Sequence, residues 1–509
     1  MTKRHQITLG GLVAMAAVLA GCASYPTQGP KGVDKRKPNI ILIVADDLGV
    51  NDVGYNGNST VRTPHIDALA KKGAEFTTAY ASSPVCSTSR AGLLTGQYQQ
   101  RFGMESNPSP RLLAQQTVED DPGAEIVPAL PDDPDHAARG LPPEAETLAE
   151  RLSAIGYRTA HIGKWHLGSA PGYTPLDQGF DNFYGFLGGA SLFAELDNKD
   201  VVRAALPWSG LDNFLWNRLP YSLEHNGEPQ SERGYQTDVF ADAAAQYVKS
   251  SDEAPFFLSI AFNAPHTPLQ APRELVDNQP EYLPARKRVY YAMIESLDVG
   301  IGKILKALEE SGANERTIII LTSDNGGAGY IRIADVNAPY RGFKANFWEG
   351  GIRVPLLVFN PFDKGGSAKI DRPVSLLDIA PMIFDAANVS IEGLDGQSLF
   401  GSPAQDASRA LVWRNNTVSA IRDGDWKLII DAHRQKSWLY NISDDPLEQN
   451  NLITTEAERA AELEAKFLDI TADWPSSPAW GPTYLIPVHA DPQPPEPGNQ
   501  PNDWTMWPG

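Results

Sequence analysis

Four segments of the chain are near-continuous apolar runs that end abruptly in polar, chemically capable residues. Asn39-Ile40-Ile41-Leu42-Ile43-Val44-Ala45 runs into Asp46-Asp47, and residues 157–162 run into Gly163-Lys164-Trp165-His166. Phe256-Phe257-Leu258-Ser259-Ile260-Ala261-Phe262 leads to His266, and Thr317-Ile318-Ile319-Ile320-Leu321-Thr322 leads into Ser323-Asp324-Asn325-Gly326-Gly327. A strand with one wet face alternates apolar and polar residues, so unbroken runs predict strands buried on both faces of a parallel sheet. Amphipathic stretches at 64–73, 147–156 and 292–311 predict helices to cover those faces. The expected fold is α/β, a large mixed, mostly parallel sheet sandwiched by helices. Ligands in such sheets bind beyond the carboxyl ends of the strands, which is where the acids, the imidazoles and the lysine fall.

Two stretches break this rhythm. Residues 105–145 are rich in Pro and Asp, and residues 190–235 hold Trp208, Phe214, Trp216 and Tyr221 in a loop-like composition. Both read as insertions over the site edge, with the aromatics suited either to packing within the loop or to stacking on a sugar ring. Further on, alternating strands at 410–413, 419–422 and 426–430 precede a helix at 456–470, the pattern of a smaller antiparallel sheet plus helix. The chain therefore divides into a signal peptide (1–21), a tether (22–37), a main domain (38–403), a C-terminal α+β subdomain (404–480) and a Pro-rich tail (481–509).

The signal peptide rests on Lys3 and Arg4 followed by an apolar run, residues 9–20, too short to span a bilayer. Its end, Leu19-Ala20-Gly21-Cys22, resembles the bacterial lipobox. That implies cleavage before Cys22, lipidation of its sulfur and export, with the protein held in the periplasm or at the outer membrane or cell surface through the N-terminal lipid alone. With 43 Lys+Arg against 63 Asp+Glu the net charge is −20, which excludes a nucleic-acid footprint and suits solubility in salty surroundings. An anionic substrate would have to be drawn by local positive groups. Of the two cysteines, a lipidated Cys22 leaves Cys86 without a disulfide partner.

Asp46-Asp47 and Asp324-Asn325, each closing a buried strand, supply hard oxygen ligands of the kind Ca²⁺ or Mg²⁺ takes. Cys86-Ser87-Thr88-Ser89-Arg90-Ala91-Gly92-Leu93-Leu94-Thr95-Gly96 reads as a polar turn opening a short helix. A sulfur at that start meets the positive end of the helix dipole and the Arg90 guanidinium, which on physical grounds alone suggests a thiolate nucleophile.

At this stretch the chain resembles the type I, formylglycine-dependent sulfatases of the alkaline phosphatase superfamily. Cys86 to Gly96 follows their signature, except that Thr88 stands where the family usually carries Pro or Ala. Asp46-Asp47-Leu48-Gly49, Gly163-Lys164-Trp165-His166-Leu167-Gly168, Pro265-His266, Ser323-Asp324-Asn325-Gly326 and Lys344 with Glu349-Gly350-Gly351-Ile352-Arg353-Val354-Pro355 agree as well. Leu439-Tyr440-Asn441, Asp445-Pro446 and Asn451-Leu452 look like the family's C-terminal domain.

The resemblance implies an alkaline phosphatase-like fold and oxidation of Cys86 to formylglycine by a formylglycine-generating enzyme, the aldehyde hydrate being the nucleophile. It implies Ca²⁺, with Mg²⁺ as the alternative, held by Asp46, Asp47, Asp324, Asn325 and residue 86. Arg90 and Lys164 would hold the hydrate ionised, Lys344 would bind sulfate, and His266 would protonate the leaving oxygen. His166 would then take a proton from the second hydroxyl and expel sulfate. The implied substrate is a sulfated polysaccharide or its oligosaccharides, with a red-algal galactan such as carrageenan favoured. An arylsulfatase, a phosphonate or phosphate diester hydrolase, and a catalytically inactive glycan-binding lipoprotein with unmodified Cys86 are the alternatives.

Overall fold

Strand β1 (Asn39–Ala45) shows why its sequence contains no polar alternation. Ile41, Ile43 and Ala45 enter one hydrophobic core while Ile40, Leu42 and Val44 enter another on the opposite face, and none of the six is more than 3% exposed. At about 1.5–3 kcal/mol for each large side chain buried, such a strand is held from both sides. The computed structural model describes residues 37–108, 139–209, 212, 215–216, 219–231, 233–250, 254–363, 367–400, 409–415, 417–480 and 506–507.

Around β1 stand β2 (Ala74–Phe76), β3 (Arg158–Lys164), β4 (Asn182–Phe186), β5 (Glu224–His225), β6 (Glu228–Pro229), β7 (Phe256–Ala261), β8 (Thr317–Ser323), β9 (Leu356–Phe359) and β10 (Ala368–Ile370). Among the described residues they form one ten-stranded sheet in the order β10-β2-β9-β8-β1-β7-β3-β4-β5-β6. The five central strands, β8 to β4, are parallel. β9 and β5 continue the sheet antiparallel on either side, so the sheet is mixed and mostly parallel, as expected.

Helices α1 (Pro64–Lys72), α4 (Gln236–Lys249) and α5 (Ala285–Ser311) cover one face; α2 (Cys86–Thr95), α3 (Leu148–Ala154) and α6 (Ile379–Ala386) cover the other. Helix α5 begins seven residues before its expected start at 292, directly after Pro284. The basic run Arg286-Lys287-Arg288 conceals the amphipathic pattern there. The stretch 190–235 is more than a loop: it carries the β5–β6 hairpin at the sheet edge and Val201–Ala204, which pairs antiparallel with Leu269–Pro272. Met506–Trp507 also pairs with Val201–Ala204. Cys22, the signal peptide, most of the tether, residues 109–138 of the first insertion, Phe214 and the rest of the 481–509 tail lie outside the described residues. Among the described residues no helix is long and apolar enough to cross a membrane.

β11 (Leu411–Asn415), β12 (Val418–Asp423), β13 (Trp426–Asp431) and β14 (Lys436–Asn441) form a second, antiparallel sheet. One face, with Val412, Ile421, Leu428 and Leu439, packs on Leu463 and Phe467 of α7 (Ala457–Ile470). The other, with Leu411, Trp413, Ala420, Ile429 and Tyr440, packs on Tyr80, Phe347, Trp348 and Ile352 of the main domain. At this joint lies a buried charge cluster: Lys427 Nζ is 2.9 Å from Glu349 Oε1 and 2.9 Å from Glu448 Oε1, and all three residues are 0% exposed. Tyr80 donates to Glu349 Oε2 at 2.7 Å, Arg353 reaches it at 3.3 Å, and the Glu349 backbone N–H donates to Glu448 Oε2 at 2.7 Å. Glu349, in the Glu349–Pro355 motif, thus serves the joint between the two sheets.

Candidate active site

Strand register gathers the site. Ala45 lies opposite Ser323 and Val44 opposite Ala261, so Asp46, Asp324 and the turn that carries His266 leave the sheet side by side. Backbone hydrogen bonds continue past the strand ends, Asp324 N–H to the Ala45 carbonyl and Asp46 N–H to the Ala264 carbonyl, both at 3.1 Å. Lys164 closes β3, beyond Gly163 at φ 105°; a Cβ on Gly163 would lie 2.0 Å from the Ala261 carbonyl oxygen, so only glycine fits. Cys86 opens α2 and is 1% exposed, its Sγ 3.8 Å from Asp47 Oδ1. Thr88, the departure from the family signature, is buried with its hydroxyl donating to Ser83 Oγ at 2.6 Å.

Three buried cations face three buried carboxylates. Arg90 Nε donates to Asp324 Oδ2 at 2.9 Å and Nη1 to the Lys164 carbonyl at 3.2 Å. Lys164 Nζ donates to Asp46 Oδ2 at 2.6 Å, and Lys344 Nζ to Asp47 Oδ2 at 2.9 Å. Burial alone would raise the Asp46 and Asp47 carboxyls. Lys164, His266 and Arg90 outweigh it at Asp46, and Lys344 and His266 at Asp47, so both are held below the usual carboxylate range.

Burial pushes the Cys86 thiol well up despite Lys164 and Lys344, so the unmodified cysteine is held protonated. Burial, with the neighbouring Asp324 and Asp46 carboxylates, thus disfavours the thiolate expected from the helix start.

His266 Nδ1 bonds the Thr267 carbonyl at 2.5 Å, leaving Nε2 3.7 Å from Asp47 Oδ2. Burial, aided by Lys344, lowers its pKa. His166 is driven further down by burial and by Lys164, Arg90 and Lys344, so it is a neutral imidazole. Gly189 packs on that ring so closely that a Cβ would lie 2.6 Å from His166 Nε2.

Asp46, Asp47, Cys86 and His266 bring ligand atoms within 4.8 Å of one another. Asp46 Oδ1 and Asn325 Oδ1 are buried with no hydrogen-bond partner among the described residues, while Asn325 Nδ2 donates to Asp47 Oδ1 at 2.7 Å. Orphaned buried oxygens beside paired acids fit a hard divalent cation. The three local cations and three carboxylates cancel, so such an ion would leave the pocket with the positive charge that binding an anion requires. The structure brings every candidate, Asp46, Asp47, Cys86, Arg90, Lys164, His166, His266, Asp324, Asn325 and Lys344, into this one connected region.

Sequence reading did not single out His161 or Asn337. His161, buried, bonds Ser259 Oγ and the Lys164 carbonyl, each at 3.1 Å; burial lowers its pKa to about 3. Asn337 Oδ1 accepts from Gly327 N–H at 2.7 Å and its Nδ2 donates to the Gly327 and Gly342 carbonyls, clamping the Asp324 loop to the Lys344 loop. Asp47, His166, Asn337 and Ala345 have φ of 61–68°, the left-handed region that non-glycine residues occupy at a cost, and all four adjoin the site.

Trp208 donates Nε1–H to the Tyr330 carbonyl at 2.8 Å and Trp216 donates to Asp212 Oδ2 at 3.0 Å, while the Arg233 guanidinium lies over Tyr221. These aromatics are engaged within the loop and its neighbours, the packing role rather than a free sugar platform.

The Sulfatase family profile matches residues 38–389. Mouse steryl-sulfatase is 32% identical over 467 residues, 78% of this chain and 70% of its own. The ulvan-active sulfatase of Formosa agariphila is 29% identical, covering 86% of this chain and 83% of its own. The solved structure of Ps i-CgsB in complex with k-i-k-neocarrahexaose superposes with a TM-score of 0.73 at 31% identity, covering 88% of this chain and 95% of that one. A phosphonate monoester hydrolase of Agrobacterium radiobacter, at 22% identity and a TM-score of 0.59, shares the fold. A buried cluster of three cations and three carboxylates around Cys86, on an alkaline phosphatase-like sheet, thus sits in a chain that belongs to the sulfatase family and is a sulfuric ester hydrolase.

Proposed function

We propose that the protein removes sulfate from a sulfated polysaccharide or its oligosaccharides, a carrageenan-type galactan being the substrate class, with Cys86 matured to formylglycine and Ca²⁺ in the acidic cluster. The observation that carries this reading is the ring of buried cations, Arg90, Lys164 and Lys344, drawn around Cys86. The similarity to Ps i-CgsB, whose structure holds a neocarrahexaose, supports the galactan.

Asp46, Asp47, Asp324 and Asn325 would hold the cation, which when bound supplies positive charge against the sulfate oxygens and the nucleophile. Lys344 Nζ, fixed by Asp47, binds a sulfate oxygen; Arg90 and Lys164 orient and polarise the oxygen nucleophile on residue 86. His266, with Nδ1 tied to Thr267, presents Nε2 as the atom that protonates the leaving sugar oxygen, and the negative charge of bound substrate favours its protonated form. His166, held neutral, accepts the proton that accompanies sulfate release. Residues 22–37 and the lipidated Cys22 would tether the exported enzyme at the periplasmic or outer surface of the cell.

A screen of defined sulfated oligosaccharides, read by sulfate release and by the mass of the residue-86 peptide, tests the proposal. Sulfate release from galactan oligosaccharides by protein carrying formylglycine is expected. Hydrolysis of phosphonate or phosphate diesters in preference to every sulfated sugar, or turnover by protein with intact Cys86, would refute it.

A further inference from the structure

Arg332 lies on the loop that follows Asp324-Asn325, and its backbone is left-handed at φ 50°. It is exposed, and among the described residues its guanidinium makes no ion pair and no hydrogen bond; it rests over the Trp208 ring, 5.0 Å from the centroid. The Arg286 guanidinium lies over the same ring at 5.3 Å and donates to the Arg332 carbonyl. Burial, and then the like charge of Arg332, pull the Arg286 pKa down to about 10. The Asp335 carboxylate is taken by Lys287. The two guanidiniums on one indole repel each other, and an anion at the exposed Arg332 would relieve that repulsion.

The platform is fixed to the candidate general acid. Trp208 Nε1–H is held by the Tyr330 carbonyl at 2.8 Å, Tyr330 Oη meets Thr267 Oγ1 at 3.2 Å, and the Thr267 carbonyl takes His266 Nδ1 at 2.5 Å. His266 is the residue placed at the leaving sugar, and this chain of contacts ties the Trp208 platform, with Arg332 on it, to the segment that carries it. A guanidinium fork matches the planar carboxylate and the oxygen face of a sulfate alike.

We propose that Arg332, seated on Trp208 above the buried Arg286, forms a second anion subsite that binds a further sulfate or carboxylate of the glycan whose sulfate ester is cleaved at residue 86. This rests on the glycan sulfatase reading above and narrows it to polyanionic substrates. The subsite is preformed: Trp208 is hydrogen-bonded in place before substrate arrives, and little ordering accompanies binding.

The test compares three galactan oligosaccharides of equal length, carrying a single sulfate, a second sulfate on the neighbouring sugar, or a uronate carboxylate there, in wild type, Arg332→Gln and Arg332→Lys. Because Arg332 is exposed, the variants should fold as wild type. Arg332→Gln is expected to lower kcat/KM for the doubly anionic substrates about tenfold or more, mainly through KM, and to leave the monosulfated one within about twofold. Arg332→Lys should recover part of that loss, and added salt should shrink the gap. Whichever doubly anionic substrate shows the effect identifies the occupant as sulfate or carboxylate. Equal effects on all three substrates, or none, overturn the subsite while leaving the sulfatase reading intact. Should none of the three be cleaved, that reading fails, and calorimetric binding of the disulfated oligosaccharide decides the subsite alone, an Arg332→Gln Kd equal to wild type overturning it.

Discussion

Replacing Lys427 by Met tests the joint between the two sheets. The substitution keeps an unbranched chain of similar volume and removes one ammonium 2.9 Å from each of two fully buried carboxylates. With an effective dielectric of about 20, each contact corresponds to about 6 kcal/mol of Coulomb attraction, set against desolvation that the folded protein has already met. Breaking a buried pair on one side costs about 3–5 kcal/mol, which here should appear as a fall in Tm of about 5 °C or more.

The pH dependence gives the sharper check on this substitution. Glu349 is held down at about 2, where burial is outweighed by Lys427 and Arg353; its stabilisation is present above the unfolded carboxyl range and lost as pH falls through 2. Glu448 is raised to about 7, chiefly by burial, so its cost is present above pH 7 and vanishes as pH falls toward the unfolded value. Without Lys427 both carboxyls rise, the folded variant takes up protons, and its deficit should shrink between pH 8 and pH 5. Denaturant melts of wild type, Lys427→Met and Lys427→Met/Glu448→Gln across that range measure this, with the double variant recovering part of the loss. A deficit under about 1 kcal/mol at pH 8, or one constant from pH 8 to pH 5, would refute the reasoning.

Cys86→Ser should abolish sulfate release while leaving the melt unchanged in a host that matures only cysteine-type sulfatases; turnover by a variant whose serine is unmodified by mass spectrometry would count against formylglycine. Asp324→Ala removes a carboxylate from the oxygen cluster and strands the Arg90 guanidinium, so activity should fall by orders of magnitude and Ca²⁺ affinity, read by calorimetry, should drop with it. His266→Ala should impair sugar sulfates far more than an activated aryl sulfate, whose phenolate leaves with little proton help, and equal losses on both would remove His266 from that role. Asn337→Ala unties Gly327 from Gly342 and should lower kcat more than it lowers Tm; a loss of stability with kcat intact would make the clamp purely structural.

The central sheet was legible because burial on both faces forces near-continuous apolar runs, and β1, β7 and β8 each showed one, whereas β3 buries Arg158, Thr159 and His161 among its apolar residues. The site followed because polar residues that interrupt a dry strand end are rare enough to notice. What stayed hidden is what long-range pairing creates. β5 and β6 are two residues each and carry no periodic signal, and β14 begins with exposed Lys436. Asn337 has an ordinary turn residue's sequence context, and nothing local shows that its amide spans two loops. Cys86 misled in its protonation: the helix start and Arg90 were visible in the sequence, but the burial that outweighs them, and the Asp46 and Asp324 carboxylates beside the sulfur, come from long-range packing.

The joint and the site are also mechanically linked. Gly350 and Gly351 follow Glu349, and Gly326 N–H, one residue past Asn325, donates to the Gly351 carbonyl at 3.0 Å. A Cβ on Gly326 would lie 2.0 Å from the Gly350 carbonyl oxygen, so the Asp324-Asn325 loop and the Glu349 segment touch backbone to backbone with no side chain to absorb a shift. The Gly350 N–H in turn donates to the Arg341 carbonyl at 2.6 Å, and Lys344 N–H to the Gly327 carbonyl at 3.0 Å. A displacement of Glu349 by the C-terminal sheet is therefore passed to both a cluster residue and the Lys344 ammonium. On this physical ground the small antiparallel sheet, which contributes none of the candidate site residues, is part of what keeps the oxygen cluster in register with the cations around Cys86.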